Sequence, residues 1–204
     1  MKKIIYYIII FLLILVAYRC FIYKKGDSKP EEKYQSLELK KHSAAFNQSV
    51  NSILDAYLSI EEGLVKSDTA KVKASAGKLI QLLNQIDTVE LKKDTVAVFE
   101  TVMMTIGDMQ FNLSSLENQT DLQGMRKDFS SLTDVMYPTF FKAIQYEGAT
   151  IYLQNCPMAF GEDMPANWIS NHADIVNPYL GDNHPVYKSS MLHCGELKDS
   201  ITAQ

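Results

Sequence analysis

Cysteine is scarce in this chain, three residues in 204, and no two stand in a CxxC pair. HExxH, GxSxG and the phosphate-cradling glycine loop are missing as well. The commonest motif-borne chemistries of hydrolases, nucleotidases and redox dithiols therefore have no footing here. Basic residues run short once residue 25 is passed. Residues 1–25 hold Lys2, Lys3, Arg19, Lys24 and Lys25 and no acid, which leaves 15 of the 20 basic groups against all 24 acidic ones, a net charge of −9 for the remainder. Nucleic-acid binders present basic faces to phosphate, so a nucleic-acid partner is excluded. The acidic balance suits cation handling and equally suits plain solubility.

One long apolar run is present. Residues 4–23, IIYYIIIFLLILVAYRCFIY, are interrupted only by Arg19. At about 1.5 Å rise per residue such a run matches a hydrocarbon core of roughly 30 Å. Tyr6, Tyr7, Tyr18 and Tyr23 suit the interfaces, and Arg19 can snorkel to the headgroups. Small residues are lacking where cleavage needs them. There is no A-x-A pattern, and Tyr18 and Arg19 precede Cys20 where a lipoprotein signal wants small side chains. The run is expected to be an uncleaved signal anchor (residues 1–25), giving a single-pass inner-membrane protein whose C-terminal part lies in the periplasm. Cys20 would then lie inert in lipid.

Residues 26–32, GDSKPEE, form a polar tether. Residues 33–148 then carry helical periodicity. Phe46, Val50, Ile53, Leu54, Tyr57, Ile60 and Leu64 recur at spacings of three and four and predict a first helix over about 32–66. Ser67-Asp68 supplies a cap for a second helix marked by Val72, Ala76, Leu79, Ile80, Leu83 and Ile86. A third is expected over about 89–116, with Phe99, Val102, Met103, Ile106, Met109 and Leu113 inward. A fourth starts near Asp121 on Leu122, Met125, Phe129, Leu132, Val135 and Met136. Pro138 should kink or restart it, and Gly148 should end it. The expected fold is mainly α: an up-down four-helix bundle with a loop-rich C-terminal segment carrying a short β-hairpin, preceded by one transmembrane helix. Met103, Met104 and Met109 read as core filler, and His42 as a solvent-exposed residue.

Residues 149–204 are different in kind. The stretch from Cys156 to Cys194 holds two of the three cysteines, three of the four histidines, the only tryptophan and four of the six prolines. Residues 149–154 read as a strand and 191–197 as its partner, which would bring Cys156 near Cys194. The long loop between them is expected to pack on the bundle through Trp168, Asn177, Pro178 and Tyr179. Two chemistries fit the cysteines. Cys156, Met158, Met191 and Cys194, with His193 in reserve, are soft donors that select Cu(I) or a similar ion. In a strand, Met191 and His193 would face one way and Cys194 the other, unless Gly195 allows a bulge. Alternatively Cys156 and Cys194 form a disulfide closing a 39-residue loop, which stabilises by roughly 3–4 kcal/mol in the chain-entropy model. His184 reads as a turn residue. Catalysis is not expected, because His193 and Cys194 would point apart in a strand and no third group orients them.

A resemblance rests on Ala56-Tyr57-Leu58, Leu64-Val65-Lys66-Ser67-Asp68, Arg126-Lys127-Asp128-Phe129, Cys156-Pro157-Met158-Ala159, Ala166-Asn167-Trp168-Ile169-Ser170, Ile175-Val176-Asn177-Pro178-Tyr179-Leu180-Gly181 and Met191-Leu192-His193-Cys194-Gly195. From about residue 50 onward the chain resembles the uncharacterised domain found at the C-terminus of CusB/HlyD-type periplasmic adaptors of heavy-metal efflux pumps, which also occurs as a stand-alone exported protein. The resemblance implies a setting of copper or silver handling, with an efflux adaptor or another envelope protein as partner. It implies no mechanism, and the chain lacks the adaptor barrel and hairpin that bridge a pump.

Overall fold

The computed structural model describes residues 42–202 and, before them, Leu15 alone. The chain divides between Glu38 and Leu39, and the elements named here all belong to the second unit. Apart from Leu15, the expected anchor and tether lie outside the described residues. Among those described, no helix is long and apolar enough to cross a membrane.

The unit is mainly helical with a small antiparallel sheet. Helix α1 spans Ala44–Lys66, α2 Thr69–Asn84, α3 Thr88–Leu91, α4 Val96–Asn118 and α5 Leu122–Val135; strands β1, β2 and β3 span Ile151–Cys156, Ala166–Ser170 and Glu196–Ile201. Each helix opens on a side-chain cap that accepts from an otherwise orphaned amide. Ser43 accepts from Phe46, Asp68 from Lys71, Asp87 from Val89 and Glu90, Thr95 from Val98, and Asp121 from Gly124. Ser67 closes α1 in the left-handed region at φ 59°, and its amide reaches back to Gly63 and Leu64. Helix α1 packs on α2, α2 on α4, and α4 on α5, while α5 and α1 both face β2.

The helical stripes are those that the spacing predicts, with three corrections. The third predicted helix is two: α3 stops at Leu91, and α4 starts only where Thr95 provides a second cap. Met109 is core, but Met103 is 36% and Met104 66% exposed. Those two sit on the outer face of α4, so the core-filler reading fails for them. His42 is not exposed either. Its side chain is 5% accessible, its Nε2 lies 3.3 Å from Asp94 Oδ2, and its ring packs on Phe46 at 4.3 Å. Helix α5 widens into a π-helical turn over Met136–Phe141. Pro138 lies inside it, where the missing amide and the ring's clash with the preceding turn disfavour ordinary α geometry.

The expected hairpin is a three-stranded sheet of order β2-β1-β3, antiparallel throughout. Tyr152 pairs with Ser170 and Cys156 with Ala166 on one side; Ile151 pairs with Ile201 and Asn155 with Glu196 on the other, with a bulge between Leu153 and Gln154. Strand β2 was not predicted, since its five residues are too few for alternation to show. Residues 191–194 form turns, and the last strand begins only at Glu196. The strand alternation expected for Met191, His193 and Cys194 therefore does not apply.

Candidate functional site

Cys156 ends β1, and Cys194 lies just before β3. Because Asn155 stands opposite Glu196, the two cysteines fall at the same end of the sheet. Both are free thiols, Cys156 wholly buried and Cys194 partly so. Burial, and then the charge and hydrogen bond of Cys156 beside it, hold the Cys194 thiol above its ordinary pKa of 9.0. Cys156 is thus close enough to the Cys194 thiol to act on it. The pair is protonated at neutral pH on the Cys194 side, and a ligand that needs thiolates must displace that proton.

The corner carrying Cys194 is fixed by one side chain. Asn177 is fully buried. Its Nδ2 donates to the Cys194 carbonyl at 2.7 Å, its Oδ1 accepts from the amides of Tyr179 and Leu180 at 2.9 and 3.1 Å, and its own amide donates to the Leu192 carbonyl at 2.8 Å. The Cys194 amide closes a turn onto Met191 at 3.0 Å. Asn177 suits this role because its amide offers donor and acceptor at once, and it sits one residue before a proline, where the backbone is already extended. Gly195 lets the corner close on the sheet. At φ 154° it would place a Cβ 2.8 Å from the Asn155 carbonyl and 2.9 Å from the Trp168 ring. Both are closer than a side chain tolerates.

The loop is locked to the helices from beneath. Arg126 is buried, and its Nε donates to the Pro178 carbonyl at 2.9 Å while its Nη2 donates to the Leu64 carbonyl at 3.3 Å. Burial lowers its pKa to about 10, which leaves it charged at neutral pH. The Tyr179 hydroxyl donates to the Asn167 carbonyl, and its ring meets Trp168 edge-on at 6.0 Å. The Tyr57 hydroxyl accepts from the Ile169 amide at 3.0 Å and shares a 2.6 Å hydrogen bond with Thr133. Trp168, Asn177, Pro178 and Tyr179 are all buried.

The other expected donors are placed less favourably. Met158 is half-buried and lines a cavity of about 680 Å³ together with Phe160, Leu180, His184 and Tyr187, a cavity that neither cysteine lines. Met191 is half-buried against the core. His193 is exposed, with Nδ1 held by the Ile175 carbonyl at 2.7 Å. That bond makes Nδ1 the donor and leaves Nε2 as the ring's lone-pair nitrogen. His184 Nδ1 accepts from the Val186 and Tyr187 amides, both at 3.2 Å, as a turn residue does. Among the described residues, no group of three or more His, Cys, Asp or Glu side chains is placed to hold a metal ion. Of the five expected ligands, the two thiols are the ones that meet.

Two residues were given no structural role from the sequence. Gln154 is fully buried, and its Nε2 faces the carbonyls of His172, Ala173 and Asp174 at 2.9, 3.2 and 3.2 Å, gathering that turn. A glutamine directly after the apolar run Ile151-Tyr152-Leu153 was the available signal. Arg126 lies at i+4 from Leu122 and i−3 from Phe129, on the apolar stripe of α5, where a charge has to find partners.

Residues 53–146, somewhat under half of the chain, match the model of a family described as "Protein of unknown function (DUF3347)". The chain therefore contains an uncharacterised domain, and the matched stretch runs from within α1 to the residues just before β1. No curated protein and no solved structure matches the chain. The cysteine pair lies beyond the matched stretch.

Proposed function

We propose that this chain is a membrane-anchored, exported accessory protein that binds a soft metal ion, Cu(I), through Cys156 and Cys194 and serves heavy-metal efflux or resistance. The observation that carries this reading is the meeting of two thiols, one of them wholly buried, at the edge of a loop held in place by Asn177 and Arg126. Two soft sulfurs without a third and fourth ligand suit Cu(I), which accepts low coordination, and do not suit Zn²⁺, which takes four ligands in structural sites. The donor set fits the metal that the family resemblance implies. Cys156 and Cys194 would hold it as thiolates, with Met191 and the free Nε2 of His193 as the nearest sequence neighbours able to add a donor. The bound ion supplies a soft Lewis-acid centre that can pass between sulfur ligands. The chain's own part is to keep the pair together and to give up the thiol protons on loading. An efflux adaptor or another envelope protein is the proposed partner, and binding rather than catalysis the proposed activity.

A second reading is favoured by the same adjacency. A Cys156–Cys194 disulfide would clamp the end of β1 to the start of β3 and make the loop a rigid recognition surface in an oxidising compartment. The two readings separate in one experiment. Full-length protein is reduced anaerobically in a mild detergent and titrated with Cu(I) against a competing chelator, and free thiols are counted before and after air exposure. Stoichiometric uptake lost in Cys156→Ser supports the metal. Protein that leaves cells with both thiols oxidised, and takes up no Cu(I) once reduced, supports the disulfide.

A further inference from the structure

Helix α1 turns a stripe of residues at spacings of three and four toward the loop after β2: Leu58, Glu61, Glu62 and Val65. With Lys66 at the end of the helix and Asn171, His172, Val176 and Leu192 on the facing loop, this stripe lines a cleft of about 350 Å³. Its position in the stripe calls for an apolar residue at 61, and the sequence places a carboxyl there instead. Glu61 is only 7% exposed. Among the described residues its carboxyl makes no hydrogen bond and no ion pair.

The neighbours that could satisfy it are engaged elsewhere. The Lys66 ammonium lies 2.7 Å from Asp182, and Glu62 is paired with Lys71 at 2.6 Å. His172 holds Nδ1 to the Asp174 carbonyl at 2.9 Å. An unpaired buried carboxyl costs several kcal/mol as an ion, so such a group is normally replaced, paired or protonated. Burial, and then the charge of Glu62, push Glu61 up to about 8. It is therefore a largely neutral acid at pH 7, poised to ionise when a positive charge arrives.

We propose that this cavity is a binding site for a small aliphatic ammonium, with the Glu61 carboxylate taking the charge and Leu58, Val65, Val176 and Leu192 taking the alkyl part. A carboxyl alone would suit a metal ion as well, but among the described residues no group of three metal-ligating side chains is placed around it. Leu58, Val65, Val176 and Leu192 favour a cation with a hydrocarbon body, and the Lys66 ammonium that also lines the cleft is paired with Asp182. Neither thiol lines this cavity, so the site stands apart from the proposed copper chemistry and its test does not depend on it.

The test follows the Glu61 side-chain carboxyl by ¹³C NMR in the full-length chain in detergent, titrated in pH with and without n-butylammonium. The expected result is a saturable fall of the Glu61 midpoint by about one pH unit or more, the usual effect of an opposite charge within contact distance. Leu192 and Val176 methyl signals should move with the same saturation curve. Glu61→Gln should abolish that methyl response with the methyl spectrum otherwise retained, and Glu62→Gln should keep it. If Glu61→Gln does not fold, the titration of the unsubstituted chain decides alone. A Glu61 midpoint that n-butylammonium leaves in place, or moves no more than sodium chloride of equal ionic strength does, overturns the proposal. So does a response to Zn²⁺ at Glu61 and His172 together without one to the ammonium.

Discussion

Replacing Asn177 by alanine should loosen the corner that carries Cys194 without touching either sulfur. The substitution removes one donor and one acceptor that between them make three hydrogen bonds, a partly buried one to the Cys194 carbonyl and two buried ones from the amides of Tyr179 and Leu180. Each such bond is worth about 1 kcal/mol net, and each partner left dry and unpaired costs about 1–3 kcal/mol more. Some of these partners will reach water once the corner opens. The expected loss of stability is about 3 kcal/mol, read from urea unfolding followed by far-ultraviolet circular dichroism. The same opening should expose Cys156, which is wholly buried. In a Cys20→Ser background, the rate of Cys156 alkylation, followed by peptide mass spectrometry, should rise at least about tenfold, the factor that roughly 1.4 kcal/mol of easier opening produces. Asn177→Asp is the sharper variant. It keeps both accepted bonds but sets a carboxylate oxygen against the Cys194 carbonyl where the native distance is 2.7 Å. Its deficit should shrink as pH falls and the new acid gains a proton to donate. A loss under about 1 kcal/mol in Asn177→Ala, or Cys156 alkylation as slow as in the parent, would refute the claim that this side chain holds the corner.

Three further outcomes follow from the same physics. Glu61 keeps its proton in the folded chain up to about 8, whereas the unfolded chain releases it near 4.5. The group therefore lowers stability progressively as pH rises between those values, by about 3 kcal/mol at pH 7 and not at all below pH 4. The stability difference between Glu61→Gln and the parent should grow by that amount from pH 4 to pH 7 in urea unfolding, and parallel pH profiles would contradict it. Gly195→Ala meets the Asn155 carbonyl and the Trp168 ring at a positive φ. It should cost about 2–4 kcal/mol in thermal unfolding, more than an ordinary glycine-to-alanine change. Because loading must displace the Cys194 thiol proton, apparent Cu(I) affinity should rise with pH by about tenfold per unit below the thiol range, one Cys194 proton leaving per ion. A chelator-competition titration between pH 6 and 8 that shows no pH dependence would contradict binding by the thiol pair.

The helices were legible because each repeats apolar residues every third or fourth position and starts on a cap that can be read locally, Asp68 and Asp121 most plainly. What escaped was set by distant partners. His42 looked exposed on its own helix-proximal stretch, but Glu90 and Asp94 approach its ring from nearly fifty residues away. Met103 matched the core rhythm closely enough to pass, yet no element covers that side of α4 among those described. The cysteine pairing could be anticipated from two strands meeting, but not the way the donors around it disperse. Residues 191–194 turn rather than extend, so alternation gave the wrong faces, and Met158 opens onto another cavity. Glu61 carried the clearest unused signal, an acid in the middle of an apolar stripe. Such a departure from pattern is where a site is to be sought.

The most direct test of the thiol-pair account is the Cu(I) content of anaerobically reduced, full-length protein under a competing chelator. The account predicts about one ion per chain, retained in Cys20→Ser and lost in both Cys156→Ser and Cys194→Ser. Reduced protein that binds no Cu(I), or binds it equally well without Cys156 and Cys194, would contradict it.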